Sequence, residues 1–136
     1  MKLPLITLFL FLTPALSNAD SLSVQLKQTV TENLSATEAE DIDAIMVTMH
    51  SKSPSRAATK AQLPALFERF DLKYKLVKYE YISVSGEYAI ARVQQQTTKA
   101  KGAAFRNNTV DSFMIFKQDK GKWTIWAQTV LEIKFE

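Results

Sequence analysis

Phe105-Arg-Asn-Asn-Thr-Val-Asp-Ser-Phe-Met-Ile-Phe116, followed by Asp119-Lys-Gly-Lys-Trp-Thr-Ile125, decides the fold of this 136-residue chain. Both segments are rich in β-branched and aromatic residues, and Asp119-Lys-Gly-Lys122 between them is turn chemistry. They predict a hairpin with strands over 105–118 and 123–135. Upstream, Lys99–Ala104 with Gly102 predicts a loop, and Tyr88–Thr98 a strand joined by the turn Ser85-Gly-Glu87 to one beginning near Leu72. In that first strand Leu72, Tyr74 and Leu76 alternate with Lys73 and Lys75. The apolar phase then switches at Leu76-Val77 and continues through Tyr79 and Tyr81. A phase switch inside one strand predicts a bulge, which bends a sheet.

Three helices precede the strands. Ser21–Leu34 predicts the first, with Val24, Leu26, Val30 and Leu34 available to the core. Thr37-Glu-Ala-Glu40 matches a capping box and predicts the start of the second. Ile42, Ile45, Met46 and Met49 follow at i, i+3, i+4 and i+7, one apolar stripe. Ser53-Pro54 ends that helix, because a residue before proline is pushed out of the α region. The third covers about Ala57–Phe70, with Leu63, Leu66, Phe67 and Phe70 on its apolar face. Pro64 inside it predicts a kink near Ala61 or a fresh helix start. In the last strand Trp123, Ile125, Ala127, Thr129, Leu131 and Ile133 form one set, and Trp126, Gln128, Val130 and Glu132 the other. Large apolar side chains in both sets predict that both sheet faces are covered.

Residues 1–19 read as an export leader: Lys2, an apolar run from Leu3 to Leu16, then Ser17-Asn-Ala19 at the position a signal peptidase reads. The apolar run is too short for the ~20 residues that span a bilayer, so no stable membrane anchor is expected. The domain would then be residues 20–136, exported to a bacterial periplasm or secreted. The absence of cysteine fits a core that needs no disulfide staples. Residues 20–50 carry six acids against Lys27 alone, while the later basic residues are scattered among strands. Without a basic cluster, no nucleic-acid partner is expected. A single histidine and no cysteine leave only scattered carboxylates, so neither a metal nor another cofactor is expected.

Glu40-Asp-Ile-Asp-Ala-Ile45, Leu66-Phe-Glu-Arg-Phe-Asp71, Val84-Ser-Gly-Glu-Tyr-Ala89, Phe105-Arg-Asn-Asn108 and Gly121-Lys-Trp-Thr-Ile125, in this order, resemble the nuclear transport factor 2-like superfamily. The chain is most similar to its small bacterial members related to SnoaL. The resemblance implies an α+β domain, three helices packed on a strongly bent antiparallel sheet of about four strands. It also implies a cystatin-like cone that encloses a pocket. A small apolar or amphipathic molecule is the implied ligand, and a homodimer formed through the sheet the implied assembly.

The ketosteroid isomerases of the superfamily pair a carboxylate base with an oxyanion hole that includes a protonated Asp. Asp111-Ser-Phe-Met-Ile-Phe116 is similar to their aspartate strand, which makes Asp111 a candidate pocket acid. The other members of that set are missing: 20–35 contains no Tyr and 51–58 no acid. The plain alternative for Asp111 is a pair with Arg106 or Lys117. His50 is a candidate general base at the pocket mouth, or else a cation at a helix C-terminus. Met46, Met49, Phe67, Phe113 and Trp126 are the candidate apolar lining, with Arg106 and Gln128 as its polar groups; each is also plausible core. The leading expectation is an exported small-molecule-binding domain. The alternatives are a SnoaL-like isomerase, dehydratase or cyclase using Asp111 and His50, and a protein-association module.

Overall fold

The computed structural model describes residues 17–136. Three helices come first, α1 (Asn18–Glu38), α2 (Ile42–Thr48) and α3 (Arg56–Arg69). Four strands follow, β1 (Phe70–Ser85), β2 (Tyr88–Gly102), β3 (Asn108–Asp119) and β4 (Lys122–Phe135). The strands form one antiparallel sheet in the order β1-β2-β3-β4. This is the α+β, cone-shaped architecture expected. The leader expected at 1–19 lies outside the described residues except for Ser17–Ala19, which open α1.

α1 runs further than its apolar spacing suggests. Ser17 caps it, its hydroxyl accepting from the Asp20 amide at 3.2 Å. The far end passes straight through the apparent capping box. Thr37 is helical, and its hydroxyl donates to the Asn33 carbonyl at 2.7 Å. The helix closes in a Schellman arrangement: Asp41 N–H donates to Ala36 O and Glu40 N–H to Thr37 O, with Glu40 at φ 57°. The cap of α2 is therefore Asp41, whose carboxylate accepts from the Ala44 amide at 3.0 Å. Thr37-x-x-Glu40 had the right composition, but closing α1 consumed it.

α2 is short because the chain leaves it to join the sheet. Met49 is extended (φ −98°, ψ 141°) and bridges Ile125 in parallel, and the His50 amide donates to the Ile125 carbonyl at 2.9 Å. At the C-terminal end of α2 the Arg56 guanidinium donates to Met46 O and, at 3.0 Å, to Met49 O. α3 continues unbroken past Pro64, which sits on its exposed side, so no new helix starts there.

The sheet bends at bulges. Register shifts in β1 fall between Asp71 and Leu72, at Val77 and at Ile82, the second where the apolar phase switches. β4 carries two more, at Trp126 and Leu131, which no phase switch announces. β2 extends to Gly102, so the loop expected at 99–104 is mostly strand. Gly102 has φ 112°, and a Cβ there would press into the Arg69 carbonyl and lie 3.0 Å from Phe70 Cα; only glycine lets the end of β2 pass the α3–β1 junction.

Alternation now fixes the faces. Ala89, Ala91 and Val93 of β2 are buried and stand opposite Phe116, Met114 and Ser112 of β3. With Leu26, Val30 and Leu34 of α1 and Ile125 of β4 they form the main core. Val24, read as a core residue, is exposed on the far side of α1. A second cluster joins Ala36, Ile45, Met46, Met49 and Leu63, with Leu66 and Phe67 against it. α1 is tied to both ends of the sheet: Thr29 Oγ1 donates to Trp123 O at 2.7 Å, and Tyr79 Oη to Ser23 O at 2.8 Å.

Candidate functional site

Between the two clusters the concave side of the sheet is not filled. A cavity of about 350 Å³ draws its walls from all three helices and from β3 and β4. Ile45, Met49, Leu63, Met114 and Ile125 are its apolar surface. Asn33, Thr37, Ser55, Thr59 and Gln128 are its polar groups, and none of the side chains lining it is titratable. Other concavities are grooves between two elements, such as one of about 420 Å³ between α1 and β1 at Leu34, Glu38 and Tyr74.

Each of the cavity's two amides has one of its two N–H donors in use. Asn33 Nδ2 donates to Thr48 Oγ1 at 2.8 Å, and Gln128 Nε2 donates to Ser112 Oγ at 2.9 Å. Asn33 Oδ1 and Gln128 Oε1 accept no hydrogen bond from the described residues, so each amide offers a carbonyl acceptor and a second N–H to an occupant. Burial without an opposite charge disfavours an ionised occupant far more than a neutral one.

The structure brings only two of the nine expected site residues, Met49 and Gln128, onto this surface. Met46 is buried behind it in the second cluster, and Phe67 is half-buried at that cluster's edge. Asp111 and Phe113 are on the opposite sheet face, because Ser112 and Met114 beside them point inward. Asp111 is buried there against Arg92, which donates from Nε at 3.0 Å and from Nη2 at 2.7 Å, with Gln94 as a further donor. Its partner is thus Arg92, neither Arg106 nor Lys117. These bonds, Arg92 first, hold the Asp111 carboxyl below its ordinary value of 3.8, despite the opposing effect of burial. An ionised, acceptor-only Asp is the reverse of a protonated oxyanion-hole acid.

His50 is buried, and both ring nitrogens are used. Nδ1 accepts from the Lys52 amide at 3.0 Å, and Nε2 is 3.1 Å from Gln118 O. The first bond uses the Nδ1 lone pair and the second faces Nε2 to a carbonyl, so neither ring nitrogen is free to act as a general base. Trp126 stacks edge-on against that ring at 5.0 Å, with the Lys117 ammonium 4.8 Å from the indole centre. Arg106 lies over Phe135 at 4.6 Å, at the other end of β4. Among the described residues, no three His, Cys, Asp or Glu side chains gather where an ion would sit.

Sequence reasoning missed Asn33, Thr37, Thr59, Met114 and Ile125. A trace of the first two was visible: Asn33 and Thr37 continue the Val30–Leu34 face of α1, polar residues on a buried stripe.

Residues 28–135 match the family model described as the C-terminal domain of anti-sigma-I factor RsgI9. No curated protein gives a significant match. Among solved structures, a cystatin-like protein of unknown function from Nostoc punctiforme superposes with TM-score 0.68 at 11% identity, covering 88% of this chain and 94% of its own. A conserved protein from Planctomyces limnophilus gives TM-score 0.67 at 16% identity, over 85% and 98%. A proposed dehydratase of the NTF2-like family from Streptomyces avermitilis gives TM-score 0.65 at 14% identity, over 80% and 94%. At these identities the likeness is one of fold, and the fold is NTF2-like.

Proposed function

The chain belongs to the family described as the C-terminal domain of anti-sigma-I factor RsgI9, and we propose that it is a binding domain for a small uncharged molecule rather than an enzyme. One observation carries this: the cavity on the concave side of the sheet is lined by thioether, aliphatic, hydroxyl and amide groups, with no acid or base among them. Proton transfer needs a titrating group within reach of the reacting atom. Asp111 is on the other side of the sheet and His50 is committed at both nitrogens. These placements argue against an isomerase or dehydratase of the SnoaL kind using these two residues. The occupant that fits has an apolar body against Met49, Leu63 and Met114 and an uncharged hydroxyl, N–H or carbonyl group for the amides of Asn33 and Gln128. The family takes its description from a regulatory protein, which agrees with binding rather than turnover.

Export belongs to the same proposal and rests on the sequence of residues 1–19. N-terminal sequencing of the protein from a periplasmic fraction should start at Asp20.

The binding test uses a matched pair of probes, 1-naphthol and 1-naphthoate, titrated by calorimetry. The uncharged probe should bind, and the carboxylate at least about tenfold more weakly, the cost of an unpaired charge in an apolar wall. Met114→Trp, which fills the cavity, should abolish naphthol binding while the far-ultraviolet spectrum is kept. Equal or tighter binding of naphthoate, or naphthol binding undiminished in Met114→Trp, would overturn the assignment.

A further inference from the structure

β4 is an edge strand, and only its first half is covered. The bridge from Met49 and His50 ends at Ile125, and Ser53 Oγ closes the Trp126 carbonyl at 2.7 Å. Beyond that point none of the described residues pairs with its outer edge. This uncovered half carries Val130 (50% exposed), Leu131 (45%), Ile133 (46%) and Phe135 (53%), a run of large apolar residues on an open edge. Such an edge is a template for another strand unless something blunts it.

The direction of its free groups follows from the ladder. Residues of an antiparallel strand alternate between those that exchange hydrogen bonds with one neighbour and those that face the other way. The Glu136 amide donates to Asn107 O at 2.9 Å, toward β3. Counting back by two, with no register shift between, the backbone groups of Lys134 and Glu132 also turn toward β3. Those of Ile133 and Phe135 turn outward.

The sequence along this edge is its own complement. Leu131-Glu-Ile-Lys-Phe135 reads apolar, acid, apolar, base, apolar. Run antiparallel to a second copy about a twofold axis at Ile133, it sets Glu132 opposite Lys134 and Leu131 opposite Phe135. Ile133 then faces itself, with both its outward groups bonded. Glu132 and Lys134 share one face, 3.7 Å apart within the strand as an exposed pair, so both charges lie on the side where the partner's would. Parallel pairing in register would set like charges side by side, which is unfavourable.

We propose that the Leu131–Phe135 edge of β4 is a homodimer seam, which joins two four-stranded sheets into one continuous sheet of eight. The occupant is a second copy of this chain, and the seam is independent of the cavity's ligand.

The experiment is light scattering after size exclusion on the full chain at tens of micromolar, which should give twice the chain mass. Ile133→Pro removes an amide that the fold does not use, so it should give a monomer with an unchanged circular-dichroism spectrum. Lys134→Glu places like charges opposite one another and should weaken the dimer about tenfold, and adding Glu132→Lys should restore it. The chain has no cysteine, so Ile133→Cys should oxidise to a single disulfide-linked dimer, its paired Cα atoms ~5.5 Å apart. Val84→Cys, exposed on the other edge strand, should not. A monomeric wild type would overturn the proposal and leave the edge to a strand from another protein. A dimer that survives both Ile133→Pro and Lys134→Glu would also overturn it and move the seam to the Arg92–Asp111 face.

Discussion

The two halves of β4 have nearly the same composition and opposite fates. Lys122–Ala127 contains Trp123, Ile125 and Trp126; Gln128–Phe135 contains Val130, Leu131, Ile133 and Phe135. In the first half Thr124 and Ile125 are buried, Trp123 is bonded through its carbonyl to Thr29 of α1, and the edge is closed by Met49 and His50. In the second half every residue from Gln128 onward is exposed. Nothing in the strand distinguishes the halves. The helices end before the second half does, so the difference lies in the cover and not in the strand. An apolar strand residue contributes to stability only where another element takes its surface from water.

The sharpest break of that comparison is a pair of truncations on the hairpin. Phe116→Ala, at a fully buried side chain facing α1, should cost about 3–5 kcal/mol in urea denaturation of the full chain. Ile133→Ala, in the uncovered half, should cost less than about 1 kcal/mol of monomer stability. Similar costs at both sites would mean that the second half is covered within the monomer.

Next in size is the tie that anchors the covered half. Thr29→Val keeps the volume but removes the donor to the Trp123 carbonyl, leaving a half-buried acceptor unpaired. The expected loss is about 1–3 kcal/mol, again by urea titration. A loss near zero would show that water replaces Thr29 there and that the first half is less sealed than it looks.

The smallest effect is electrostatic and lies on the outer face, behind both halves. Asp111 titrates below its ordinary 3.8 because Arg92 binds its ionised form. Its contribution to stability is therefore present above pH 3.8 and is lost as pH falls through the lowered folded value. Glu32, lowered chiefly by its bond from Lys122, and Asp119, lowered chiefly by the Ser51 amide, behave alike. The urea midpoint should fall below about pH 4, and Arg92→Met should lower the midpoint at pH 7 and flatten that fall. An unchanged acid slope in Arg92→Met would mean that the pair contributes nothing to it.

Much of the fold could be read before the structure. The order of elements, the Ser85-Gly-Glu87 and Asp119-Lys-Gly-Lys122 turns, the stripe Ile42–Met49 and the bulge at Val77 each left a local mark in residue type or period. The bulges at Trp126 and Leu131 left none, because large apolar residues occur in both alternating sets of this strand. They put Ile125, Gln128, Val130 and Ile133 opposite the inward residues Phe116, Met114, Ser112 and Val110, which mixes the two sets that strict alternation predicts. The site was less legible than the fold for the same reason. β3 offers Val110, Ser112, Met114 and Phe116 on one face and Asp111, Phe113, Ile115 and Lys117 on the other. Either set passes for an interior by composition, so the sequence offers Asp111 and Phe113 for the pocket where the fold puts Met114.

The sequence by itself determined local geometry: where helices and strands form, where the chain turns, and that a sheet this long must bend. Those follow from backbone preferences and from the 3.6- and 2-residue periods, which neighbouring residues express without help. The tertiary structure alone decided which sheet face is inside, that the acid and the histidine were spent on Arg92 and on backbone groups, and that half of an apolar strand stays open. Each depends on which distant segment arrives to cover a surface, and a period along the chain holds no record of that.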